Sequence, residues 1–151
     1  MVEGKFLRSE DGFSDSIKIR KKVFVEEMGF TVESVMDEWD SIAEHVIVYN
    51  EEHKIVAAGR LTLMGKQFWI SQVAVLKEER GKYYGDFVVR MLVDRVFRNN
   101  GQEIWVKADE NTFHFFAKIG FTAIENVLDE KEDKWVIANL NKCNLFKKCG
   151  K

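Results

Sequence analysis

Six consecutive residues, Arg80, Gly81, Lys82, Tyr83, Tyr84 and Gly85, carry the clearest chemical signal in the chain. Before them, residues 67–76 start with alternation (Phe68, Ile70) and end in the apolar run Val73, Ala74, Val75 and Leu76, the pattern of a largely buried strand. After them, Phe87, Val88, Met91, Leu92, Val93, Val96 and Phe97 recur at helical spacing, with Arg90, Asp94, Arg95 and Arg98 filling the other face. A strand, a short basic turn and a helix aim unpaired backbone N–H groups at one point. The helix dipole adds roughly half a positive charge there. Such an end suits a pyrophosphate, with Lys77, Arg80 and Lys82 as mobile cations and glycine allowing close approach of the backbone. An ordinary soluble βα turn uses the same residue types, so that reading stands beside the first. Neither GxxxxGK[ST] nor GxGxxG is present, which excludes the Walker and dinucleotide loops.

The elements that must position this turn follow from the periodicity. Residues 2–8 read as a strand, and a helix capped by Ser14 or Asp15 runs to about Met28 with Ile17, Ile19, Val23 and Phe24 as its apolar stripe. The acidic segment 30–44 is irregular, with a short helical turn around 34–38. Strands follow at 45–49, 55–64 and 67–76, joined by hairpin connections at 50–53 and 65–66. The helix over 84–99 ends at Asn99, Asn100 and Gly101, a left-handed cap sequence. A strand at 103–108, a short helix at 111–119 and a β pair at 121–127 and 134–140 complete the domain, leaving 141–151 as a polar tail. The order β-α-(α)-β-β-β-α-β-α-β-β implies a single α/β domain: a mixed, mostly antiparallel sheet with helices on both faces.

The stretch Val73 to Gly85 resembles motif A of the GNAT acetyltransferase superfamily, whose [Q/R]-x-x-G-x-[G/A] loop binds the pyrophosphate of acetyl-CoA. Arg80 takes the first position and Gly85 the last, while Tyr83 stands where the middle glycine usually sits. A second segment, Asn111 to Phe121, resembles the family's A/N-x-x-x-F-Y-x-K-x-G-F, with Phe115, Phe116, Lys118, Gly120 and Phe121 at the F, Y, K, G and F places. At the front, Arg20, Val23, Phe24, Asp37, Asp40, Ala43, His45, Gly59, Arg60 and Leu61 resemble a subgroup with R-x-x-V-F, D-x-x-D, A-x-H and GRL. Acyl-homoserine-lactone synthases share part of that set, but the chain is short for one. The element order matches the GNAT fold throughout.

The resemblance implies acetyl-CoA as co-substrate, held by Val75, Arg80, Gly81, Lys82, Tyr83, Tyr84, Gly85 and Asp86, and from the second segment by Asn111, Phe115, Phe116 and Lys118. It implies a bulge in the fourth strand near Gln72, splaying from the fifth, with the Val73 or Ala74 backbone N–H polarising the thioester carbonyl. It makes Glu26 and Glu27 candidate bases and Asp37, Asp40, His45 and Gln72 candidate substrate contacts. Each has a plainer reading. The glutamates are helix-end charges, a lone histidine is usually structural, and Arg20 and Arg60 can form an ion network with Asp37 and Asp40. Phe116, where the family often has a tyrosine, offers no proton to a leaving thiolate. The acidity of residues 33–44 suits a cationic amine of a small molecule or peptide.

Composition narrows the remaining classes. With 151 residues, 46% of them hydrophobic, the chain can bury its own core, and a net charge of −2 argues against nucleic acid or a polybasic membrane surface as partner. The first twelve residues lack an apolar signal core, so a cytoplasmic protein, monomer or homodimer, is the expectation. Cys143 and Cys149 have no metal-ligand spacing and read as free thiols, with no metal site expected. Two further classes stay open: a non-catalytic acyl-CoA-binding module, and an interaction domain dimerising through Trp39, Trp69 and Trp105.

Overall fold

The computed structural model describes residues 1–143. Its elements are β1 (Glu3–Leu7), α1 (Ser14–Arg20), α2 (Val32–Val35), β2 (Glu44–Tyr49), β3 (Ile55–Met64), β4 (Gln67–Val75), α3 (Tyr84–Arg98), β5 (Glu103–Ala108), α4 (Glu110–Ile119), β6 (Thr122–Leu128) and β7 (Lys134–Asn141). One seven-stranded sheet has the order β1-β2-β3-β4-β5-β7-β6. Every neighbouring pair is antiparallel except β4 and β5, which run parallel. The mixed, mostly antiparallel α/β sheet inferred from the sequence is therefore the one observed. Cys143 is exposed; Cys149 and the rest of the tail from residue 144 lie outside the described residues.

Packing decides the long helix against its own propensity. Four of its residues are valine, each costing roughly 0.6 kcal/mol relative to alanine in a helix. Yet Val88, Val89 and Leu92 are completely buried, and burial contributes about 1.5–3 kcal/mol for each. Burial wins, and the polar face adds Asp86–Arg90 and Asp94–Arg98 ion pairs one turn apart. The helix stops where Asn100 turns left-handed at φ 68°.

α3 covers one face of the sheet and α1 the other. Gly59 of β3 fixes which side is which: a Cβ there would meet Val88 Cγ1 at 2.4 Å, so its neighbour Arg60 points to the α1 side. Gly59 alone stands opposite Gln72 and Val73, since Arg60 pairs with Ser71 and Ala58 with Ala74. That is a β-bulge at the expected place, with Gln72 left-handed at φ 55°.

Two expectations for the first helix need correction. Neither Ser14 nor Asp15 caps it; the cap position is Phe13, without a side-chain hydrogen bond. After Arg20 the helix also widens into a π-helix over Lys21–Glu27, where Met28 N–H reaches back five residues to the Val23 carbonyl at 3.0 Å. The widened turn buries Val23 and leaves Glu26 and Glu27 on the surface.

Beneath that helix lies a buried ion network. Arg20 is fully buried and donates to both carboxylate oxygens of Asp40, at 2.7 and 3.2 Å, and to the Val35 carbonyl. Arg60 donates to Asp40 at 3.0 Å, to Asp37 at 2.6 Å and to Ser71 Oγ at 2.9 Å. His45 is also fully buried; it stacks on the Phe13 ring, and its Nε2 lies 2.9 Å from the Asp40 carbonyl oxygen. Asp40 and His45 are thus interior residues rather than groups offered to a substrate, because each has its polar side turned into this network. The plainer reading of the Arg–Asp cluster is realised here.

Asp40→Asn leaves the buried Arg20 charge without its carboxylate, so unfolding free energy should drop by about 3–5 kcal/mol. Arg20→Gln should match it in a denaturant titration. pH acts through two depressed groups. Burial, with Arg20 and Arg60 adding to it, holds His45 below the ordinary histidine value against the opposing pull of Asp40. Unfolding raises that pKa, so stability is lost as pH falls below about 6.5, until the folded pKa is passed. For Asp40 burial alone would raise the pKa, but hydrogen bonds from Arg20, the Asp37 N–H and Arg60 hold it below 3.8. Its contribution is present above that value and is lost as pH falls through the folded pKa. Melting temperature should therefore fall in two stages on acidification, and His45→Gln should flatten the first.

Candidate active site

Sheet geometry opens a cleft at the middle of the molecule. β4 and β5 pair at Trp69 with Trp105 and at Ile70 with Val106, and nowhere further along. Beyond those residues the bulged end of β4 parts from β5, so the facing backbone edges from Ser71 onward lack a strand partner. This is the splay expected near Gln72, and it brings the Val73 and Ala74 backbone to the opening.

The turn after β4 closes one end of that opening. Gly81 and Tyr83 are both left-handed, at φ 81° and 66°. Tyr83 thus adopts the conformation that a glycine would take without strain, at a cost of about 1–2 kcal/mol, and its side chain is exposed. Tyr84, by contrast, turns its ring into the core. Tyr83 caps α3 without a side-chain acceptor, and the first helical hydrogen bond runs from Phe87 N–H to the Tyr83 carbonyl. Among the described residues the N–H groups of Tyr84, Gly85 and Asp86 therefore have no protein acceptor. A Cβ on Gly85 would lie 3.5 Å from both Phe115 and Val75, an ordinary contact, so core packing does not itself demand glycine there.

The basic side chains of the turn are already engaged. Arg80 grips Glu27 with two hydrogen bonds, 2.7 and 2.6 Å, and its Nε donates to the Val75 carbonyl at 3.1 Å. A candidate phosphate ligand and a candidate base, 53 residues apart, hold each other across the cleft end. The Arg80 hydrogen bonds, with the Arg80 and Lys77 charges, keep Glu27 below the usual glutamate range, which weakens it as a base. Among the described residues Glu26 makes no ion pair and is exposed. Lys82 lies 3.4 Å from Glu79, and Asp86 is occupied by Arg90.

On the α4 side, Phe115 is half-buried against Gly85 and Val75, whereas Phe116 is 2% exposed and packed edge-on between Phe115 and Phe121. Phe115 rather than Phe116 is thus the aromatic that borders the turn, because the helical rotation between neighbours sends the second ring into the core. Asn111 and Lys118 are exposed on α4. Asp37 is held by Arg60 at the far end of the opening, and Gln72 sits in the bulge.

Sequence reasoning missed one participant and placed two others on a dimer surface. Ser71 ties Arg60 to β4 immediately before the bulge. Trp69 and Trp105 are not free surface aromatics but stack on each other, centroids 5.7 Å apart, where the strands part. Counting by two along β4 from buried Ile70 would have put Trp69 and Ser71 on one face.

Comparison with known proteins gives this geometry a lineage. The sequence profile described as the Acetyltransferase (GNAT) family matches residues 17–121. YjcF of Bacillus subtilis (strain 168), an uncharacterized N-acetyltransferase, is 28% identical over 125 residues, covering 83% of this chain and 86% of its own. Among solved structures, Escherichia coli ElaA superimposes with TM-score 0.77 at 17% identity, over 92% of this chain and 99% of that one. A GNAT family acetyltransferase from Elizabethkingia anophelis with acetyl-CoA bound reaches TM-score 0.70 at 8% identity, over 93% and 97%. Those two likenesses show the fold. The profile match, spanning the cleft, the turn and α4, carries the family assignment: the chain is an acyltransferase that belongs to the GNAT acetyltransferase family.

Proposed function

We propose that this enzyme moves the acetyl group of acetyl-CoA directly to an amine, with the pyrophosphate held at residues 80–85. The observation that carries the reading is the coincidence of two unsatisfied backbone sets. One is the first-turn N–H groups of α3; the other is the parted edges of β4 and β5, which the amides of a pantetheine arm can join as an added strand would. The co-substrate supplies an acyl group activated as a thioester. The chain's own part is orientation, a donor and proton removal. At the bulge, the backbone N–H of Val73 or Ala74 is the donor to the acyl oxygen. The amine nitrogen forms its new N–C bond as the C–S bond breaks; the electron pair leaves on sulfur and one proton leaves the nitrogen. The nearest described cysteine in sequence is Cys143, at the far end of β7, so transfer goes without an acyl-cysteine step. Phe116 donates no proton, and a thiolate leaves without one near its own pKa of about 8.5.

Of the two candidate bases, Glu26 takes the proton, directly or through water, and Glu27 positions Arg80. Glu26→Gln should lower the single-turnover rate roughly 10²-fold or more with acetyl-CoA affinity unchanged. Glu27→Gln should change acetyl-CoA affinity while holding the single-turnover rate within about tenfold. The reverse pattern would exchange the two roles.

Gly85→Asp places a carboxylate where phosphate is to sit. At the first turn of α3 that charge favours the helix dipole, so the fold survives. Acetyl-CoA affinity measured by calorimetry should fall at least tenfold, about 1.4 kcal/mol, with an unchanged melting curve. Unaltered affinity in a normally folded variant would remove the turn from the cofactor site. Release of CoA thiol across an amine panel tests the transfer itself.

A further inference from the structure

We infer that the acceptor amine is carried on an aromatic body, which deepens the transfer reading above and rests on it. The floor of the opening is indole. Register places Trp69 and Ser71 on the face opposite α3, and pairing with Trp69 puts Trp105 beside it, at the point where β4 and β5 part. The burial pattern agrees: Ile104 and Val106 of β5 are buried under the helices, while Trp105 is half-exposed on the other face.

A wall rises on the same side. Its two ends are anchored at the two ends of the opening: Glu27 to Arg80 on the turn, and Asp37 to Arg60, which also binds Ser71 before the bulge. The intervening segment, 28–36, is therefore strung along the mouth of the cleft. It is pinned by Val35, which is 2% exposed and whose carbonyl accepts from Arg20. Yet Met28, Phe30 and Met36 are 53%, 55% and 39% exposed. Large apolar side chains on a pinned segment beside a proposed reaction centre are a surface for a ligand to cover. Exposed methionine and phenylalanine side chains and a stacked indole pair each favour a flat ring. The exposed acids Glu33, on this segment, and Glu38, just beyond its anchor, complement an ammonium, which can also lie over an indole face. A polyamine or aminosugar would meet the acids but leave the apolar wall and floor in water. A 2-arylethylamine covers both.

The test is steady-state CoA-thiol release by the wild-type chain with 2-phenylethylamine and tryptamine against spermidine, kanamycin and propylamine. Acetyl-CoA binding is measured separately by calorimetry. The aromatic amines should show kcat/KM at least tenfold above the others. Phe30→Ser, at a half-exposed position whose ring lies 6.3 Å from that of Phe24, should, in a variant with a normal melting curve, raise KM for 2-phenylethylamine at least fivefold while leaving that for propylamine and the acetyl-CoA dissociation constant unchanged. Trp105→Leu should act in the same direction. Spermidine or kanamycin turned over as well as the aromatic amines, or a Phe30→Ser effect equal on both amines, would overturn the inference and leave the transfer reading standing. Failure to bind acetyl-CoA would instead sink the transfer reading. Absence of binding heat with 2-phenylethylamine in the CoA-loaded protein would overturn the aromatic site whatever the turnover.

Discussion

Arg60 ties the sheet to the segment that covers its α1 face. Its guanidinium reaches Ser71 on β4, Asp37 at the start of a helical turn over Glu38–Ser41, and Asp40, which Arg20 of α1 shares. A planar group with five donors in a fixed fork holds three partners in set directions; a lysine ammonium has three donors but no such fixed geometry. Taking such a charge from water costs several kcal/mol, which is recovered only if its donors are matched. Here the cost secures geometry. The segment that walls the cleft is fixed relative to the bulged strand by ionic contacts of defined direction. Apolar packing alone would let it slide.

At the other end of the cleft, the Arg80–Glu27 pair has a different character. Both side chains are partly exposed, at 41% and 26%, so solvent screens the pair and its contribution to stability is small. A weak pair at the mouth of the proposed anion site is exchangeable: a pyrophosphate bound there could compete for Arg80 without dismantling the core. The buried network fixes the far wall, and the exposed pair leaves the cofactor end adjustable. That division follows from burial alone, since the same residue types are strong or weak according to how much water reaches them.

Much of this was legible in the sequence. Strand Ile55–Met64 coincides with its expected bounds because it is buried on both faces, and Glu103–Ala108 because Ile104, Val106 and Ala108 alternate with less buried residues. The turn, the bulge and the parted strands were legible through resemblance to the family. Other features were not. The π-helical stretch has no period of its own to read, since Val23 and Phe24 satisfy a 3.6-residue repeat equally well. The contact between Glu27 and Arg80 joins residues far apart in the chain, which local pattern does not reveal. His45 was matched to a family position, but only the Phe13 ring stacked on it shows that it is sealed from any substrate. The tryptophans were noticed as aromatics and misplaced as free surface, because their register against Thr62 and Asn139 is a tertiary fact.

The coincidence of a helix N-terminus with an opening in the sheet has a topological cause. β4 and β5 are the one parallel pair among the described strands, and parallel neighbours cannot be joined by a hairpin. The chain must cross over the sheet, and α3 is that crossover. Its N-terminus necessarily lies just past the C-terminal end of β4, so the unpaired N–H groups of its first turn face the region where the two strands finish. In an open sheet that end is also where a ligand finds room. The bulge opposite Gly59 then bends β4 away before the pair can close, widening the gap beside the helix end. A glycine on β3 thus has a double effect: it lets α3 pack close through Val88, and it stands alone against the two bulged residues of β4. Any larger residue there would push α3, and with it the unpaired N–H groups of its first turn, away from the opening.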